Sequence, residues 1–188
     1  MSGNPYIAIL ITSLVFLTMS KILAGVLIGG LLIVIMGLLD DYFDMSPYVR
    51  FALNITIVSI VILFGLGIPY ITNPLGGVIQ LDTFNIHIDA LGGHDFLFIA
   101  NLFSLLWIVA IMNFINWSSG VDGQLSGFVA VSSFILALLA LRFTAHDISS
   151  FSVVLLSIIV GCSFLGFMPW NFYPQKIMPG YSGGALAG

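Results

Sequence analysis

An uncharged run of eighteen residues, Ile22 to Leu39, leads directly into Asp40, Asp41 and Asp44. That length suits a helix crossing a bilayer. A charge at the bilayer centre costs roughly 2.5–3.5 kcal/mol or more, so these carboxylates belong at an interface or in a polar cavity. On a continuing helix Asp40 and Asp44 share a face, and Asp41 points about 100° away. Their repulsion would be relieved by a cation. Mg²⁺ is typically held by one or two carboxylates plus substrate phosphate oxygens, so the cluster suggests phosphate chemistry at a membrane surface. A solvated helix end is the alternative for this stretch alone.

Composition extends that reading to the whole chain. Of 188 residues 60 % are hydrophobic and 6 % are charged, whereas an ordinary soluble domain carries about 25 % charged residues. The expectation is an all-α polytopic membrane protein, and nothing points to nucleic acid. The net charge of −4 arises from too few residues to identify a partner. The one cysteine, Cys162, excludes an internal disulfide and reads as an inert buried thiol.

Six apolar segments follow one another: Tyr6–Met19, Ile22–Leu39, Phe51–Ile71, Phe96–Ile115, Phe128–Phe143 and Phe151–Trp170. They predict about six transmembrane helices in a single domain over residues 1–188, incomplete at its C-terminal end. Ser46-Pro47 supplies an N-cap and a first-turn proline for the third helix. The 72–95 connection partly alternates apolar and polar residues between Val78 and Asp89, which predicts a short strand or hairpin. Alternation of spans puts the loops near 40–50, 116–127 and 170–188 on one face. The connections holding Asp89 and His146 fall on the other. Arg50 and Lys176 lie on the first face and Lys21 and Arg142 on the second, so basic charge gives no orientation.

The first face holds two further motifs. In Asn113-Phe-Ile-Asn-Trp-Ser-Ser-Gly-Val-Asp-Gly123, Asn113 and Asn116 lie three apart at a helix end and can present their amides on one side. Asp122 adds a carboxylate, while Gly120, Gly123 and Gly127 allow close backbone approach to phosphate oxygens. A helix break with an Asx-type turn is the alternative. In Pro169-Trp-Asn-Phe-Tyr-Pro-Gln-Lys-Ile-Met-Pro-Gly-Tyr-Ser-Gly-Gly184, Lys176 could steady a diphosphate or anchor the chain at the interface. His94-Asp95 and His146-Asp147 lie on the opposite face and read as solvated loop residues rather than metal ligands.

The three motifs, in this order and on one face, resemble the polyprenyl-phosphate N-acetylhexosamine-1-phosphate transferase family (glycosyltransferase family 4). Gly37-Leu-Leu-Asp-Asp-Tyr-Phe-Asp44 is similar to its first cytoplasmic signature. Asn113–Gly123 resembles its asparagine and Asp-Gly-x-Asp-Gly signature, and Asn171–Gly184 its Pro-x-Lys-x-Phe-Met-Gly-Asp-x-Gly-Ser signature. The similarity spans about Ile22 to Gly188. It implies transfer of a sugar 1-phosphate from a UDP-sugar to polyprenyl phosphate, with release of UMP. The setting would be the cytoplasmic face of the inner membrane, in cell-envelope glycan synthesis.

On this resemblance Asp40 and Asp41 hold Mg²⁺ and are catalytic together with Asp122. Asp44, Asn113, Asn116, Gly123 and Lys176 bind substrate, the partners are the two substrates and membrane lipids, and a homodimer is left open. Two positions depart from the family pattern. Ser119 stands where the first aspartate of Asp-Gly-x-Asp-Gly is usual, and Tyr181 where relatives have a metal-binding aspartate. An inactive family member or a transporter therefore stays open. A CDP-alcohol phosphotransferase is disfavoured, because its Asp-Gly-x-x-Ala-Arg opening is absent.

Overall fold

The computed structural model describes residues 4–73, 76–81, 85–88, 94–144 and 150–188. Seven helices appear among them: α1 (Tyr6–Phe16), α2 (Lys21–Phe43), α3 (Pro47–Leu63), α4 (Phe98–Ser118), α5 (Gln124–Phe143), α6 (Ser150–Asn171) and α7 (Gly180–Ala187). Four of them, α2, α4, α5 and α6, are long and apolar enough to cross a membrane, while α1 and α3 are apolar but shorter. The chain is an all-α, multi-pass membrane protein. The third expected span starts earlier than its apolar run, because Ser46 caps α3 by accepting from the Val49 amide at 3.4 Å and Pro47 occupies the first turn.

Between α3 and α4 lie two antiparallel ladders, β1 (Tyr70–Thr72) with β2 (Val78–Gln80) and β3 (Asn85–Ile88) with β4 (His94–Leu97). The hairpin expected in the 72–95 connection is present, and its first strand begins slightly earlier, at Tyr70. Asp89, His146 and Asp147 lie outside the described residues.

Helix α2 is the shared wall of two cores. On one side Leu23 and Leu27 pack with Ile9 of α1, Leu125 and Val129 of α5, and Phe164 of α6. On the other, Ile33 and Met36 pack with Ile57 and Val58 of α3, Met112 of α4 and Ala185 of α7. Helices surrounded by lipid gain little from apolar burial between them, so close backbone approach matters more. Glycines on α2 provide it. A Cβ at Gly30 would collide with the Tyr6 ring and crowd Leu186, and one at Gly37 would collide with Ser182.

Outward-facing side chains such as Ile35, Trp107, Leu138 and Phe151 are exposed, as lipid contact requires. Cys162 is also exposed, on the outside of α6. The expectation of a buried thiol fails because an apolar run in a membrane helix has no preferred inner face. Apolar residues there face lipid as readily as protein.

Candidate active site at one end of the bundle

Helix α2 does not stop at the apolar–acidic junction; it carries Asp40 and Asp41 in its last turn and ends at Phe43. Asp44 follows as the C-cap in the left-handed conformation, φ 47° and ψ 62°, and its amide donates to the Asp40 carbonyl at 2.9 Å. A residue with a short polar side chain tolerates this geometry better than most. The continuing helix needed to stack Asp44 on Asp40 is therefore broken, and Asp44 and Asp41 are both exposed. Asp40 turns inward and is 8 % exposed.

The sharp turn into α3 brings Arg50 back to Asp40, with Nε 3.2 Å from Oδ1. The hydrogen on Nε is aimed elsewhere, at the Met45 carbonyl 3.1 Å away. The contact with Asp40 is thus a Coulombic pairing without an aligned hydrogen bond, and Asp40 Oδ1 is buried with no hydrogen-bond partner. An orphaned buried carboxylate oxygen is costly, and it marks a place where a ligand would be stabilised.

Helix α7 closes the far side of this corner. Its first turn places Tyr181 so that the phenolic oxygen accepts from Asn54 Nδ2 at 2.7 Å. The Arg50 guanidinium lies over the ring, 5.4 Å from its centroid. Burial, outweighing the Asn54 bond and the Arg50 charge, pushes the Tyr181 phenol above its ordinary range. It stays neutral near pH 7 and contributes no negative charge. Arg50 and Asn54 are i, i+4 neighbours on α3, so one helix face presents both to Tyr181. The sequence reading gave neither a role. A lone asparagine in the apolar stretch Phe51-Ala-Leu-Asn-Ile-Thr56, one turn after an arginine, is the signal that would have found them.

The second motif lies at the same end. Asn113 returns its amide to its own helix, donating to the Val109 carbonyl at 2.7 Å. Asn116 packs its side chain so closely on Gly184 of α7 that a Cβ there would collide with it. Thus the two amides do not form a shared pair. Ser119, at the C-cap of α4, donates its hydroxyl to the Asn116 carbonyl at 2.6 Å, closing the helix end and leaving no charge at that position.

Gly123 adopts φ 75° at the start of α5 and packs against Phe172, so it fits no larger residue comfortably. Half-buried Asp122, one residue before it, accepts from the Gln175 amide at 3.3 Å. This ties the second motif to the loop that carries Lys176. Lys176 is exposed, and its amide donates to the Trp170 carbonyl at 2.9 Å, folding the loop back onto α6. Ser126 and Asn171 join α5 to α6 below, through a buried 2.8 Å hydrogen bond.

The structure thus brings Asp40, Arg50 and Tyr181 into one corner, and Asp122 and the Lys176 loop into a second. Asn116 stands against the α7 backbone that links them. Among the described residues no three of histidine, cysteine, aspartate and glutamate assemble as a metal cluster. A cation at this end would have the Asp40 oxygen that faces Arg50 without a hydrogen bond, the exposed carboxylate of Asp41, and oxygens supplied by substrate or water. That donor set fits Mg²⁺, which commonly keeps several waters and few protein ligands.

The family model described as Glycosyl transferase family 4 matches residues 23–188. A decaprenyl-phosphate N-acetylglucosaminephosphotransferase of Mycobacterium leprae is 30% identical over 169 residues, covering 87% of this chain and 39% of the relative. A probable undecaprenyl-phosphate N-acetylglucosaminyl 1-phosphate transferase of Bacillus subtilis is 28% identical, covering 88% and 41%. A phospho-N-acetylmuramoyl-pentapeptide-transferase of Streptococcus suis is 27% identical across 100% of the chain and 55% of the relative. The chain therefore spans roughly two fifths of the length of the first two relatives.

Proposed function

The chain belongs to glycosyl transferase family 4, and on that footing we propose that it transfers an N-acetylhexosamine 1-phosphate from a UDP-sugar to polyprenyl phosphate, releasing UMP. The observation that carries the reading is the buried Oδ1 of Asp40, which faces Arg50 but receives no hydrogen bond, at the end of the bundle where all three motifs meet. An apolar groove of about 700 Å³ between α4, α5, α6 and the end of α7, at Ala187 and Gly188, supports it. The groove starts at Ser118 and Gln124, beside the Asp122 turn, and continues past Phe128 and Leu136, giving a polyprenyl chain a path to the site.

The phosphate of the lipid acceptor has a second pKa near 6 and is largely dianionic at pH 7. Its oxygen can attack the sugar-bearing phosphorus of the UDP-sugar directly. One P–O bond forms, the P–O bond to UMP breaks, and UMP leaves with the electron pair. No side chain need remove a proton; the task of the protein is to bring two anions together and stabilise the transferring phosphoryl group. Asp40 and Asp41 would hold Mg²⁺, which when bound neutralises phosphate charge. Asp122 fixes the loop that presents Lys176, whose ammonium would neutralise the diphosphate. Asn116, which packs against Gly184 of α7, would bind the nucleotide or diphosphate, and Gly123 would let the backbone approach a phosphate. Exposed Asp44, at the C-cap of α2, and Asn113, inside α4, would contribute to substrate binding. The setting we infer is the cytoplasmic face of the inner membrane.

A catalytically inactive relative is the second reading, favoured by neutral Tyr181 and by the Arg50 charge already beside Asp40. Release of UMP from UDP-N-acetylglucosamine by membranes carrying the protein distinguishes the two.

A further inference from the structure

Arg50 has an arrangement that a simple turn-stabilising arginine does not need. Its Nε donates to the Met45 carbonyl, and its guanidinium is held over the Tyr181 ring. It stands 3.2 Å from a carboxylate that is 8 % exposed. The guanidinium's hydrogen bond is made by Nε, to Met45, and Asp40 Oδ1 is left without a hydrogen bond. The pair is close enough for strong attraction but is not locked. Guanidinium is always charged and is the side chain best shaped to grip a phosphate with two N–H groups.

We propose that Arg50 is a tethered counter-cation of Asp40, which opposes a divalent cation in the empty protein and must swing away before one binds. The inference deepens the proposed reading of the Asp40 site but does not rest on any turnover. A dication arriving at Oδ1 meets a fixed positive charge within about 4 Å, and repulsion at that range is worth one to a few kcal/mol near a protein surface. When the guanidinium leaves Asp40, its Nη groups are free to take a phosphate of the incoming substrate. Tyr181 sharpens the effect. A neutral ring there holds the guanidinium in place by cation–π attraction and offers the dication no oxygen charge in exchange.

The test is Mn²⁺ binding to the purified full chain in detergent, followed by electron paramagnetic resonance with no nucleotide present. Arg50→Gln should bind Mn²⁺ about tenfold or more tightly than the unsubstituted protein, because one repelling charge is gone. Arg50→Lys, which keeps the charge, should stay close to the unsubstituted protein. In an Asp40→Asn background the gain from Arg50→Gln should vanish. Arg50→Met keeps the stem packed on the Tyr181 ring and replaces the glutamine variant if that one does not fold. Unchanged, weaker or undetectable Mn²⁺ binding in a folded charge-removed variant overturns the proposal. So does an equal gain in Arg50→Lys, or a gain that persists without the Asp40 carboxylate. Loss of the proposed transfer reaction alone would leave it standing, since no arm of the test measures turnover.

Discussion

Gly37 of α2 and Ser182 of α7 stack without space for a methyl group between them, the Cβ of Ser182 and its backbone pressing on the glycine. That contact sets the depth of α7 and so brings Tyr181 over Arg50. Gly37→Ala should push α7 outward and destabilise the protein by about 1–3 kcal/mol, the usual cost of overpacking. Denaturant unfolding in detergent measures it. The same variant should loosen the Tyr181–Asn54 hydrogen bond.

Ser126 and Asn171 are buried at 0% and 1% exposure, and the serine hydroxyl donates to the asparagine carbonyl oxygen. The amide nitrogen of Asn171 already lacks a partner. Ser126→Ala would leave its oxygen orphaned too, with an expected loss of about 1–3 kcal/mol. Replacing both residues by apolar ones of similar shape should cost less than the single change.

The site end of the bundle should label from one side of the membrane. Cys162 is exposed on α6, so it is first replaced by alanine. Asp41→Cys, Asp122→Cys and Lys176→Cys should then react with an impermeant thiol reagent from one side, and Tyr70→Cys from the other. The Asp122–Gln175 bond and the Asp40–Arg50 pair at this end motivate the expectation. Reaction of Asp122→Cys and Tyr70→Cys from the same side would contradict it.

Tyr181→Asp should strengthen binding of Mg²⁺ in the absence of nucleotide. The unsubstituted phenol is neutral, pushed above its ordinary range by burial, and is a poor hard ligand. An aspartate adds a charged oxygen to the corner, and an opposite charge about 4 Å from a bound cation is worth about tenfold or more. Calorimetry of both forms decides it, and tight binding by the unsubstituted protein would show that Tyr181 is no handicap.

The sequence reading identified the membrane helices, the hairpin, and the end of the bundle that collects the motifs, because each depends on apolar run length or on alternation of spans. It did not show where one local bond fixes a residue. Asp44 leaves the helix in a left-handed cap, and Asn113 bonds backward to Val109. It also passed over Arg50, whose partner Tyr181 lies 131 positions away in sequence. No local pattern connects them; only the glycine-lined fit of α7 against α2 and α4 does. Ser119 was legible as a missing carboxylate, and its use as a helix cap was not.

If the buried Asp40 carboxylate anchors a sugar 1-phosphate transfer, the transfer should fail without it. The direct measurement is UMP release from UDP-N-acetylglucosamine by membranes carrying the protein, with polyprenyl phosphate added, for the unsubstituted chain and for Asp40→Asn. The unsubstituted protein should release UMP in step with formation of polyprenyl diphosphate sugar, and EDTA should stop it. Asp40→Asn, at equal amounts of folded protein, should lose about a hundredfold or more of that rate, as removal of a group stabilising transferred charge commonly does. Normal turnover by Asp40→Asn would show that this carboxylate does not anchor the transfer, and no UMP release by the unsubstituted protein would show that the chain does not carry it out.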